Sequence, residues 1–158
     1  MKLGRIDGTT TVNIGKISGG TATNIVPESC KVEGELRSFR HERALELLQE
    51  IKALFEQEAG RAGASLEWEE AVNCVAFETG TNGIIAGRYR EACEKAGIRA
   101  EFVKTLGGSD CNSFSAHGIS GLVLSNAMNK VHSCEEYTET QELIRSARIV
   151  RNIMISRI

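Results

Sequence analysis

The sequence predicts a mixed α/β (α+β) chain in two parts. Three observations carry that reading. Residues Cys30 to Arg37 alternate between apolar and charged side chains, the pattern of a strand with one covered face. Residues His41 to Ala59 place apolar side chains at helical spacing. At Asn73 to Gly80 the composition shifts, and beyond it helix and strand patterns alternate. A chain of 158 residues suits one domain or two small ones, and 41% hydrophobic residues can form a real core.

Thr9 to Ile17 is rich in Thr, Val and Ile, which suits a strand, and Gly19-Gly20 ends it. Thr21 to Pro27 is a loop closed by the single proline. In the next strand Cys30, Val32, Gly34 and Leu36 face one way, and Lys31, Glu33, Glu35 and Arg37 the other. The two strands read as antiparallel neighbours. In the following helix Ala44, Leu47, Leu48, Ile51, Leu54 and Phe55 share a stripe, and Gly60 and Gly63 stop it. Ala64 to Val72 alternates again, with Leu66, Trp68 and Val72 inward. Residues 9–72 thus read β-β-α-β, a ferredoxin-like half-sandwich without its first strand and helix. After the linker, Asn82 to Ala96 is a helix packing through Ile85, Tyr89, Ala92, Cys93 and Ala96. Ile98 to Lys104 and Ile119 to Leu124 read as strands, the latter covered on both faces. Thr138 and Gln141 have the spacing of a capping box. The final helix is expected to bury Leu143, Ile144, Ala147, Val150, Ile153 and Met154. This second part reads as a fragment of a layered α/β fold.

Composition excludes several classes. The charge is nearly balanced, 19 Lys+Arg against 21 Asp+Glu, and no basic stripe is interleaved with aromatics, so nucleic acid is not an expected partner. No run is long and apolar enough to span a bilayer, and the N-terminus has no apolar signal region. Cys30, Cys74, Cys93, Cys111 and Cys134 are scattered and form no C-x-x-C pair. Reduced thiols in a cytoplasmic protein are the expected state.

The richest stretch for chemistry runs from Leu106 to Tyr137. Gly107 and Gly108 form a turn whose amides can approach a ligand closely, since no Cβ intervenes. His132 lies on a loop just ahead of Glu135 and Glu136, where an imidazole suits metal or proton chemistry. The plain alternatives are an ordinary turn and an inert surface histidine.

Three blocks together resemble a known family: Gly19 to Pro27 with Glu35-Leu36-Arg37-Ser38 behind it; Gly107 to Phe114; and Val131 to Tyr137. In this order and spacing the chain resembles the C-terminal portion of a peptidase T-like metallopeptidase. That family is grouped with carboxypeptidase G2-like and succinyl-diaminopimelate desuccinylase-like di-zinc enzymes. The resemblance implies zinc-dependent hydrolysis of short peptides, with a tripeptide aminopeptidase as the nearest type. It implies a partial lid and dimerisation domain over residues 1–73, and the C-terminal part of an α/β catalytic domain over 80–158. His132 matches a zinc ligand. Asn24 and Arg37 match lid residues that hold the substrate's carboxylate end or the developing oxyanion, and Gly107 and Gly108 match a turn lining the substrate backbone. From the residues alone, a guanidinium on an open strand face suits a carboxylate, but a weak cross-strand ion pair is the alternative. Asp110 and Asn112 are expected to brace the glycine turn.

The family uses two zinc ions and a glutamate base, and nothing here matches the segment that supplies the other ligands. The expectation is an incomplete, inactive piece that does not retain zinc by itself, because one imidazole cannot hold a catalytic zinc. The absent first strand leaves unpaired sheet edges, which predicts a homo-oligomer. A non-catalytic dimerisation module that binds peptide carboxylates is the alternative. A thiol hydrolase built on Cys111 or Cys134 with His132 is a weaker one, for no third group orients the pair.

Overall fold

The computed structural model describes residues 1–156. It falls into two compact units, Met1–Ala76 and Phe77–Ile158.

The first unit is a three-stranded antiparallel sheet with one helix. Strands β1 (Gly4–Arg5), β2 (Thr10–Gly19) and β3 (Cys30–Ser38) lie in that order. The short β1 escapes the sequence reading because two residues carry no period. It exists because Asp7 closes the turn after it. The Asp7 carboxylate accepts the Thr9 N–H and the Thr9 hydroxyl, each at 2.7 Å. Those bonds hold the Asp7 carboxyl below its ordinary range. The β2–β3 ladder runs from Thr10↔Ser38 to Gly19↔Cys30 and is broken once, between Ile14 and Lys16, where Gly15 bulges.

Helix α1 spans His41–Arg61, and its stripe meets the sheet as expected. Val12, Leu47 and Ile51 are buried together, with Ile6, Leu36, Phe55 and Trp68 packed around them. Gly60 lies inside the helix; Gly63, at φ +71°, is the residue that turns the chain away. One expected strand is absent. Ala64 to Val72 joins no ladder among the described residues. Its alternation survives in part, since Leu66 and Trp68 are half-buried and Trp68 packs on Phe55 with ring centroids 6.2 Å apart. Val72 is 57% exposed. Alternation settles which side chains turn inward, whereas a strand also needs a hydrogen-bonded neighbour.

The second unit contains α2 (Ile84–Lys95), α3 (Asp110–Ala116), a two-residue ladder between β4 (Met128–Asn129) and β5 (Tyr137–Thr138), and α4 (Thr140–Ile155). Helices α2 and α4 pack together. Ala86, Ala92 and Cys93 are buried on the α2 side. Asn152 of α4 is buried too, and its Nδ2 donates to the Ala92 carbonyl at 3.0 Å. Arg88 of α2 reaches the end of α4 and donates to the Ile153 carbonyl and Ser156 Oγ, each at 3.2 Å. A cation there also complements the helix dipole.

Three expectations for this unit are corrected. Ile98 to Lys104 and Ile119 to Leu124 form no strands among the described residues, and Ile119 and Val123 are exposed rather than covered on both faces. Thr138 does not cap α4, because it sits in β5 and Glu139 holds the cap position without a side-chain bond. The apolar stripe of α4 does not face α2. Leu143, Ile144, Val150 and Met154 are exposed, while Ser146, Ile149, Asn152 and Ile153 are covered or half-covered. Hydrogen bonds from Arg88 and Asn152 hold the side of the helix that carries Ser146, Ile149, Asn152 and Ile153 inward, so of the expected stripe Ile153 is half-covered.

Candidate functional site

The loop between β4 and β5 carries His132. Left-handed backbone gathers there and just before it. Ala127, Lys130 and His132, at φ 63°, 51° and 67°, are the only non-glycine residues with positive φ among those described. L-residues adopt that conformation at a cost, and such strain gathers at functional segments. Here it is held by side chains. Glu136 Oε2 accepts the His132 backbone N–H at 2.9 Å. The Ser133 hydroxyl donates to the Lys130 carbonyl at 2.7 Å, and the Glu135 N–H donates back to it at 3.2 Å. Lys130 Nζ pairs with Glu135 Oε2 at 2.6 Å. His132 itself is exposed. The two glutamates therefore brace the backbone and the lysine, and neither is bonded to the imidazole.

Sequence reasoning missed this bracing. The signal was present in the spacing, a serine and two acids within four residues after His132. The left-handed backbone was not signalled, since none of its three residues is glycine.

Gly107 and Gly108 lead into α3, and both are exposed. The Gly107 N–H is held by Thr105 Oγ1 at 3.1 Å. Ser109 caps α3 and closes a capping box with Asn112, whose Oδ1 accepts the Ser109 N–H at 2.9 Å. Bracing by Asn112 is thus as expected, while Asp110 is simply the first residue of the helix. Cys111 backs onto Gly121, where a Cβ would come within 2.9 Å of its sulfur, and Thr79 donates to the Gly121 carbonyl. Among the described residues no hydrogen bond links His132 to Gly107 or Gly108. Two cavities of about 350 and 320 Å³ lie along α4, and neither is lined by these three residues.

In the first unit, Asn24 lies exposed in the loop between β2 and β3. Gly20 in that loop has φ +79° and abuts Pro27, which fixes where the loop leaves the sheet. Arg37 lies on β3 and pairs with an acid of its own strand. Its Nε and Nη2 donate to Oε1 and Oε2 of Glu35 at 2.8 and 2.9 Å. The cross-strand neighbour of Arg37 is Thr11, which has no charge to offer. The pair holds the Glu35 carboxyl below its usual range, chiefly through the hydrogen bond from Arg37, and raises the guanidinium correspondingly.

Among the described residues no three His, Cys, Asp or Glu side chains converge on one point. A catalytic zinc takes about three protein ligands, so these residues alone do not make a zinc site. The five cysteines are free, with Cys93 fully buried and Cys111 half-buried.

The class of the first unit follows from comparison with known families: residues 2–63 match the peptidase dimerisation domain. Of the relatives, one is named an aminopeptidase and one a tripeptidase. The fold is shared with aminopeptidase PepT from Bacillus cereus, at 33% identity and a TM-score of 0.82, over 97% of this chain and 41% of that one. It is shared with a tripeptidase from Staphylococcus aureus at 31% identity and a TM-score of 0.89, again over 97% and 41%. The uncharacterised protein YqjE of Bacillus subtilis is 35% identical over 150 residues, 95% of this chain and 40% of its own length. The likeness to peptidase T-like enzymes is therefore borne out in sequence and in fold. The chain spans about two-fifths of the length of the relatives it matches.

Proposed function

We propose that this chain belongs to a cytoplasmic, zinc-dependent peptidase that removes residues from short peptides. Residues 1–73 serve as lid and dimerisation domain, and residues 80–158 as the C-terminal part of the catalytic domain. His132 supplies one zinc ligand. Gly107 and Gly108 line the peptide backbone, and Asn24 and Arg37 engage its carboxylate end. The observation that carries this reading is the His132 turn: an exposed imidazole on a left-handed backbone locked by Glu136. A protein keeps such strain where a side chain must be presented in one direction. Support also comes from the relatives, one named an aminopeptidase and one a tripeptidase.

By itself the chain offers one imidazole of this kind, and we expect it to be inactive. The purified chain, supplied with zinc and trialanine, is expected to release no alanine above the blank. In a parallel zinc titration, the ring resonances of His132 are expected to move before those of His41 and His117. Steady peptide turnover would refute the inactivity. Zinc acting on His41 or His117 but not His132 would remove the ligand assignment.

The second reading is a non-catalytic dimerisation module that holds peptide carboxylates. The match of residues 2–63 to a dimerisation domain favours it. The coding sequence immediately upstream of Met1 separates the two, because only the enzyme needs further zinc ligands encoded there. Both readings expect a homo-oligomer, and light scattering on the eluting protein checks that.

A further inference from the structure

We infer that the cavity of about 320 Å³ along α4 binds a free aliphatic amino acid as its zwitterion, with Arg99 holding the carboxylate and Glu101 the ammonium. Such a site goes beyond the peptidase reading and holds whether or not that reading does.

The wall that carries these two charges is an extended stretch fixed against α2. Ile98, Ala100 and Phe102 are half-buried, and Arg99 and Glu101 are exposed between them, so both charged side chains leave the backbone on one side. Aromatic contacts pin the stretch. Phe102 meets Tyr89 of α2 edge-on with ring centroids 5.3 Å apart, and Arg90 lies 5.0 Å from the centre of the Phe102 ring. The Tyr89 hydroxyl reaches the Glu101 carbonyl at 3.5 Å.

Charge and shape together select the ligand. Arg99 and Glu101 both line the cavity, about 6.6 Å apart along an extended backbone. Among the described residues neither has an ion-pair partner, and they do not pair with each other. Glu142, the other acid of the wall, is taken by Arg145. One cation and one anion are therefore left to face the cavity. An α-amino acid carries the complement of both on a single carbon. Its carboxylate is the planar acceptor that a guanidinium fork takes with two bonds, and its ammonium donates to a carboxylate. A plain anion would meet Glu101 as a like charge, and a plain cation would meet Arg99 so. Ser125 and Ser146 add hydroxyls to the lining, and Leu124 and Ile149, both half-buried, offer apolar surface to a branched side chain. The volume is at the small end for ligand cavities, which suits one amino acid and not a long peptide.

The test titrates the isotope-labelled whole chain with L-leucine and follows the backbone amide resonances. Two analogues are titrated beside it: 4-methylpentanoate, which lacks the ammonium, and 3-methylbutylamine, which lacks the carboxylate. Leucine is expected to move the resonances of Arg99, Glu101, Ser125 and Ser146 saturably. It is expected to bind about fivefold more tightly than either analogue, the upper end for one exposed charge contact. Arg99→Gln is expected to weaken leucine and 4-methylpentanoate by about the same factor, and Glu101→Gln to weaken leucine and 3-methylbutylamine. Far-UV circular dichroism confirms that each variant is folded, and the analogue comparison needs only the wild type. No saturable shift with leucine, or shifts confined to residues outside the cavity, would overturn the inference. Either analogue binding as tightly as leucine would overturn it, leaving a site for one charge alone. Leucine binding unchanged in either folded variant would overturn it as well.

Discussion

Gly34→Ala is expected to destabilise the first unit, and the structure gives the reason. Gly34 pairs with Ile14 where the β2–β3 ladder is interrupted by the bulge at Gly15. A Cβ at Gly34 would lie 2.8 Å from the Asn13 carbonyl oxygen and 2.9 Å from Ile14 Cδ1. The isoleucine methyl can rotate away. The carbonyl belongs to the ladder backbone and cannot, so the sheet itself must shift. Overpacking of this kind costs about 1–3 kcal/mol. For a unit of this size each kcal/mol lowers the melting temperature by roughly 4–8 °C, so a fall of at least about 4 °C is expected. Gly60→Ala provides the opposite sign in the same unit. Gly60 lies in α1, and nothing stands within 4 Å of a Cβ placed there. That change should stabilise by about 0.5 kcal/mol, since alanine loses less backbone freedom on folding. Thermal and urea unfolding followed by circular dichroism measure both. A Gly34→Ala protein that melts with the wild type, or a Gly60→Ala protein that melts well below it, would refute the reasoning.

Two further expectations concern charge and burial. The Glu35 carboxyl is held low by Arg37, so the pair adds stability above the carboxyl's unfolded pKa, and that contribution disappears as pH falls through the lower folded value. A carboxyl-carbon NMR titration should place the midpoint below that of an ordinary glutamate, and Arg37→Gln should raise it; a midpoint unmoved by that change would count against the pairing. Asn152→Ala removes the bond to the Ala92 carbonyl at the buried α2–α4 contact and should cost about 1–2 kcal/mol in equilibrium unfolding, less than a full orphaning because the Ala96 N–H still reaches that carbonyl at 3.2 Å. No loss of stability would mean that the two helices are held by something else.

What the sequence made legible was the set of residues that share a face, and what it hid was the thing each face meets. The β2–β3 pairing and the Leu47–Ile51 stripe follow from period alone, because the partner of each is the next element in the chain. Arg37 was legible as an open-face cation, but the acid that pairs with it, Glu35, lies two residues back on the same strand, and Thr11 stands opposite. The glycine turn and the position of His132 on a strand-flanked loop were readable. The left-handed backbone at Ala127, Lys130 and His132 was not, because it comes from a web of bonds among Ser133, Glu135 and Glu136 and from no residue type that favours it. Helix α4 carries the same lesson furthest. Its period correctly groups Leu143, Ile144, Val150 and Met154, and these are 54%, 38%, 43% and 78% exposed. The side that does pack is set by Asn152 and by Arg88 on the neighbouring helix, two polar contacts that no hydrophobic pattern reports. Burial on α4 is therefore decided by satisfied hydrogen bonds at the α2 contact, and the apolar stripe is left facing outward by the geometry those bonds impose.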